Sequence, residues 1–254
     1  MTAINIIVAT TKAFVLTDSA FYRPSGEVVE FGRKCVVAQG ARLAVATRGD
    51  YRLAPAIAEA CDDLYDSIDD LIEEEAHSLR GLYERTIQAA GAVDASAQML
   101  FVGWSAHKGG PVAVSLLYDG TEWTFDDRSE EGAVAPMPDA TEMSRLRMLR
   151  AEPGEDYDAE TFDPIAHGIP LIEGQRRMKL KNPTLPGSAK FHCVGGDVLL
   201  TTVTEVAIEQ ATVHSWPDTV GCPIRPEPFA LPVTEGMSRQ QRRALARQAR
   251  KVAA

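Results

Sequence analysis

The sequence predicts an α+β protein, in which runs of strands and runs of helices are segregated instead of alternating. Three observations lead there. The first fifty residues hold short β-branched and apolar runs separated by polar turns. The stretch that follows carries apolar residues at three- and four-residue steps, and strand patterns with hairpin turns return from Met99 to Phe125. Such blocks point to α+β layering, not to repeated β-α units.

The elements follow in order. Ile4–Ala9 and Ala13–Thr17 read as a hairpin across Thr10-Thr11-Lys12. After a Pro24-Ser25-Gly26 turn, Cys35–Ala38 and Leu43–Thr47 read as a second pair across Gln39–Arg42. Their near-continuous apolar character suggests strands covered on both faces. Ile57, Cys61, Leu64, Ile68 and Leu71 form one helical stripe, with Asp50 as N-cap and Pro55 in the first turn. The opposite face carries Asp62, Asp63, Asp66, Asp69, Asp70, Glu73, Glu74 and Glu75 and is expected to be solvated. A second helix, with Leu79, Leu82, Tyr83 and Ile87 on its stripe, should end near Gly91. Met99–Trp104, Val112–Tyr118 and Thr121–Phe125 form a meander through the His107–Gly110 and Asp119-Gly120 turns. Between 126 and 160 a short helix is expected at Ala140–Leu149, followed by one from Asp163 towards Lys179, weakened by Gly168 and Pro170. Phe191–Val203 and Glu205–Trp216 complete the strands.

Composition sets limits. Of 254 residues, 45% are hydrophobic and 24% charged, enough for a substantial core. No apolar run is long enough for a membrane helix, and the first residues lack the pattern of a signal peptide, so a cytoplasmic, non-membrane protein is expected. Cys35, Cys61, Cys193 and Cys222 form no closely spaced pair, and the five histidines supply no zinc spacing. Neither a metal nor any other cofactor is expected.

Charge divides the chain. Residues 237–254 hold six basic and no acidic side chains, which leaves 20 basic against 36 acidic residues over 1–236. The expected organisation is one domain over 1–222, a Pro-rich linker over 223–236 and a basic C-terminal helix or tail over 237–254. That tail suits an acidic partner surface or weak attraction to phosphate backbones, and equally a solubilising end; no aromatic or recognition motif accompanies it, so sequence-specific nucleic-acid reading is not expected.

One spacing carries chemistry. Thr2, Asp18 and Lys34 stand sixteen residues apart, with Asp18 ending the second strand and Lys34 opening the third. Ala44–Asp50 forms a strand-to-helix junction containing Arg48 and Gly49. In these positions the chain resembles the proteasome β-subunit family of N-terminal-nucleophile (Ntn) hydrolases. The resemblance covers roughly residues 2–125, thins from 126 to 216 and is absent from the tail. It implies a four-layer αββα sandwich, with two packed, mostly antiparallel sheets flanked by helices, and assembly into homo-oligomers. It further implies Thr2 as nucleophile, Asp18 and Lys34 as its support, and an oxyanion donor at Gly49, or at Arg48 with a one-residue slip. The substrate would be a peptide or amide.

The residue types suit that task. A threonine hydroxyl needs a base, and a chain-terminal threonine has one in its α-amine, which titrates near ~8. A lysine alongside would lower the pKa of the reacting group, and an aspartate would hold that lysine charged and oriented. Backbone donors would stabilise the tetrahedral oxyanion. Removal of Met1 by an aminopeptidase would expose Thr2. Three places depart from the family pattern: Ala20 stands where it has a polar residue, Glu131–Val134 replaces a glycine-serine-glycine stretch, and Phe191-His192-Cys193-Val194-Gly195-Gly196 lacks the aspartate and serine that support the amine. His192 is a candidate substitute. A non-catalytic scaffold or assembly protein, such as a phage or prophage structural component, is therefore the alternative expectation.

Overall fold

The computed structural model describes residues 2–23, 25–48, 53–90, 96–149, 159–181 and 189–229, with backbone alone at 86–90. Two five-stranded sheets organise them, with every pairing antiparallel. In chain order the elements are β1 (Ile4–Val8), β2 (Ala13–Asp18), β3 (Ala20–Tyr22), β4 (Val28–Phe31), β5 (Cys35–Ala38) and β6 (Leu43–Arg48). Then come α1 (Leu53–Leu64), α2 (Ile68–Glu73), α3 (His77–Ala90), β7 (Ala97–Ser105), β8 (Gly110–Tyr118) and β9 (Trp123–Asp127). Last are β10 (Ala133–Ala135), α4 (Ala140–Leu149), α5 (Ile169–Arg177), β11 (Asp197–Val203) and β12 (Ile208–Ser215). One sheet runs β10-β1-β2-β11-β12 and the other β5-β6-β7-β8-β9; β3 and β4 form a separate ribbon.

Side-chain alternation sorts the core into three main clusters. Ile4, Ile6 and Val15 from the first sheet meet Ala44, Ala46, Leu100 and Val102 from the second. The other face of the second sheet (Leu43, Val45, Met99, Phe101) packs against Ile57, Cys61, Ile68, Leu71 and Leu79 of the helices. The other face of the first sheet (Phe14, Leu16, Val198) packs against Ile172 of α5 and Phe162. Central strands are thus covered on both sides, which accounts for their nearly unbroken apolar sequences.

Several expectations are corrected. The single helical stripe from Ile57 to Leu71 is two helices, because Ser67 adopts an extended backbone and accepts the Asp70 N–H as the N-cap of α2. Leu64, the last residue of α1, is left exposed. The acidic face is not simply solvated. Asp62 accepts the N–H groups of Gln39, Gly40 and Ala41 in the β5–β6 turn, at 3.2, 2.8 and 3.1 Å. Asp69 binds the β7–β8 turn through Ser105 Oγ at 2.5 Å and Ala106 N–H at 2.8 Å. Each carboxylate ties a helix to a hairpin that would otherwise leave turn donors unpaired.

The segment expected as a helix from Asp163 starts as a π turn over Pro164–Gly168 before α5 begins. A Cβ at Gly168 would lie 2.5 Å from Leu16 Cδ2, so glycine here permits close approach to β2. Phe191–Val203 is not one strand. Leu180 and Phe191 exchange backbone hydrogen bonds, residues 192–196 form a loop, and only Asp197–Val203 enters the sheet. Gly196, at φ +78°, makes the bend. The second pairing partner of β1, the three-residue β10, and the β3–β4 ribbon carried no readable period in the sequence.

The Pro-rich segment is described as far as Phe229, and that part lies against the body. Ile224 is buried with Ala20 and Val28, and Phe229 stacks on the guanidinium groups of Arg145 and Arg177. Residues 230–254, including the basic tail, lie outside the described residues, as does the expected N-cap Asp50. Among the described residues no helix is long and apolar enough to cross a membrane.

Candidate active site

Asp18 ends β2 inside the first sheet, flanked by β1 and β11, and its side chain is fully buried. Lys34 immediately precedes β5, at the edge of the second sheet. The two meet in a two-pronged contact: Lys34 Nζ donates to Oδ1 and to Oδ2 of Asp18, each at 2.8 Å. The lysine side chain is 2% exposed. A buried ion pair of this kind is tolerated when the remaining lone pairs are also satisfied. They are: Ala3 N–H donates to Oδ1 at 3.0 Å, and Gly195 N–H to Oδ2 at 3.1 Å. Above the ammonium lies the ring of Phe21, 5.3 Å from its centroid.

The Ala3 hydrogen bond brings in Thr2. Because Ala3 N–H shares an Asp18 oxygen with Lys34, the Thr2–Ala3 peptide unit lies beside the ion pair. Thr2 itself is 9% exposed. Three residues spaced evenly over the first 34 positions therefore converge at one end of the first sheet. Gly49 lies outside the described residues; its neighbour Arg48 closes β6 and donates to Gln98 Oε1 at 3.2 Å.

Cys193 belongs to the same neighbourhood, although its sequence context suggested an isolated thiol. Its pKa is raised to about 11, by burial first, with Asp18 adding to the rise and Lys34 and Arg48 opposing it. The useful signal was the Gly195-Gly196 pair two residues on, which marks a loop approaching another backbone closely.

That loop departs from what the resemblance implies. Where the family carries an aspartate and a serine, Phe191 stacks edge-on against Tyr22 at 5.2 Å and Val194 is fully buried in hydrocarbon. His192 does not replace them. Its Nδ1 lies 3.1 Å from the carbonyls of both Arg176 and Met178, and its pKa is lowered, by burial first, against the opposing effect of those carbonyls. The imidazole is anchored to the end of α5, with no hydrogen bond to Asp18, Lys34 or Thr2 among those described.

Gly195 supports the site through the main chain instead. Its N–H binds Asp18, and its carbonyl accepts the N–H groups of Ser19 and Ala20 at 3.1 and 3.0 Å. No group of three or more metal-ligating side chains occurs among the described residues. Chemically, the site offers a hydroxyl at Thr2, a fixed buried cation, and a carboxylate whose acceptor positions are all occupied. Neither a scan against protein-family models nor a search of curated proteins finds a match to this chain. The family resemblance therefore rests on residue spacing alone.

Proposed function

We propose that this chain is an N-terminal threonine amidohydrolase or peptidase built on the four-layer αββα sandwich of the proteasome β-like Ntn hydrolases. The observation that carries this reading is the buried Asp18–Lys34 pair, which shares an oxygen with the N–H of the residue following Thr2. A buried ammonium beside a small hydroxyl residue is costly as mere architecture. It suits a site where a proton must leave a hydroxyl near neutral pH.

In the reaction the free α-amine of Thr2 takes the proton from its own hydroxyl as the oxygen attacks the substrate carbonyl. The tetrahedral adduct collapses, the carbon–nitrogen bond breaks, and the ammonium returns its proton to the departing amine. Water, deprotonated by the same amine, then attacks the ester and releases the acid, restoring the threonine hydroxyl. Lys34 lowers the pKa of the amine through its charge, and Asp18 holds the Lys34 side chain in place. The amine must be free, so the active form begins at Thr2.

The second reading, a non-catalytic scaffold of the same fold, is favoured by one observation: apolar, packed Phe191 and Val194 stand at the sequence positions where the family pattern has its amine-supporting aspartate and serine. Intact mass together with a β-lactone electrophile separates the two. The enzyme loses Met1 and is labelled in wild type but not in Thr2→Ala. An intact Met1, or labelling that survives Thr2→Ala, removes the hydrolase reading.

A further inference from the structure

We infer that Arg176 and Asp218 are a positioning pair for this site, holding the Gly195 main chain against Asp18; the inference deepens the hydrolase reading and its functional part rests on it. Arg176 lies at the end of α5, where a basic side chain ordinarily points to solvent and complements the helix dipole. Here it is turned inward and is 1% exposed. Its Nη1 and Nη2 donate to Oδ2 and Oδ1 of Asp218 at 2.5 and 2.8 Å, a bidentate fork. Nη1 also reaches the carbonyl of Val194 at 3.2 Å, and the guanidinium stacks on Trp216 with 4.7 Å between its carbon and the ring centroid.

The same Asp218 Oδ2 accepts the N–H of Gly196 at 2.8 Å. Residues 194–196 are thus gripped from one side by the Arg176–Asp218 pair. On the other side Gly195 N–H donates to Asp18, and its carbonyl accepts from Ser19 and Ala20. Gly195 is what lets the two sides approach. A Cβ there would lie 2.5 Å from Asp218 Oδ2 and 2.7 Å from Arg176 Nη1. Charge-assisted bonds to a fork and a carboxylate can fix such a loop where the side-chain acceptors of the family's version are missing. Without the pair, Gly195 N–H would move off Asp18, one lone pair of a buried carboxylate would be freed, and Lys34 would follow its counter-ion.

The test uses the full chain carrying Asp218→Asn, which keeps the side-chain shape but breaks the charged fork; should that variant not fold, Asp218→Glu displaces the carboxylate by one methylene and is read in the same way. Amide hydrogen exchange at Gly195, compared with amides of β7 and β8, is independent of any catalysis. We expect exchange at Gly195 to rise roughly tenfold or more, with the β7 and β8 amides unchanged. In a protein that labels at Thr2, the β-lactone rate should fall by about tenfold or more. The pH midpoint of labelling should move upward, because a loosened Lys34 depresses the amine less. Asp18 and Lys34 beside the Thr2–Ala3 peptide, and Cys193 and Arg48, which interact electrostatically with each other there, are all left in place. Unchanged exchange at Gly195 overturns the inference. So does lower labelling with an unmoved pH midpoint, which is what a general loss of stability gives. If wild type shows no Thr2-dependent labelling, the hydrolase reading fails, and the Gly195 exchange alone decides whether the pair fixes the loop.

Discussion

Replacing Lys34 with methionine removes a charge from a place with almost no water. The Asp18 side chain is 0% exposed and Lys34 2%, and both carboxylate oxygens contact the ammonium at 2.8 Å. After the substitution Asp18 keeps two backbone donors, Ala3 and Gly195, but no counter-ion. Breaking a buried pair from one side costs about 3–5 kcal/mol, because the remaining charge stays desolvated. For a domain of this size each kcal/mol lowers the melting temperature by roughly 2–4 °C, so a fall of about 6–20 °C is expected. Asp18→Asn should be costly for the mirror-image reason. In the double variant neither charge remains, yet the asparagine turns its NH2 towards one of the two backbone donors, so recovery is partial. Chemical denaturation of wild type, both singles and the double should give a coupling of about 2 kcal/mol. Single effects that add to within ~0.5 kcal/mol would show that the two charges do not depend on one another, and the energetic case for a preorganised cation would be lost.

Three further outcomes follow from the thiols and the acidic helix. Burial holds the pKa of Cys35 and Cys193 at about 11 and that of Cys61 at about 12, whereas Cys222 is exposed. Native protein treated with iodoacetamide at pH 8 should gain one adduct, at Cys222, by mass spectrometry. The raised values also set a pH dependence. These thiols bind protons more tightly when folded, so the stability they confer is complete below the unfolded pKa near 9. It is lost as pH rises towards 11, with a slope of about 1 kcal/mol per pH unit for each thiol. Denaturation midpoints that stay flat from pH 9 to 11 would contradict this. Asp62→Ala frees three turn N–H groups and should cost about 1–2 kcal/mol, with faster amide exchange confined to residues 39–41. An effect within ~0.5 kcal/mol would mean that water replaces the carboxylate at no loss.

Much of the sheet structure could be read from residues alone, because a strand covered on both faces shows as a continuous apolar run wherever it is long enough. Met99–Trp104 and Val112–Tyr118 show it, and they lie within β7 and β8. Three-residue strands such as Ala133–Ala135 carry no period, and their existence depends on a neighbour, here β1. Phe191–Gly196 misled for a different reason: its apolar residues are buried as a strand's would be, but by a loop whose hydrogen bonds go to Asp18 and Asp218. The acidic stripe misled because a carboxylate that caps a distant turn has the same sequence pattern as one that faces water. At the site, the even spacing of Thr2, Asp18 and Lys34 was visible, and the structure brings Lys34 and Asp18 into contact. Arg176 and Asp218 were not visible, since 42 residues separate them and each is ordinary in its own context.

Asp18 draws its backbone donors from Ala3 and from Gly195, 177 positions further along the chain, and Gly195 is in turn braced by a residue near the last described turn. Loop-closure entropy must be met in full before any of these bonds can form. A ribosome-bound fragment lacking the final strands consequently carries the threonine, the aspartate and the lysine but no organised centre. The centre can form only once synthesis has reached Asp218, so its assembly is tied to completion of nearly all the described chain.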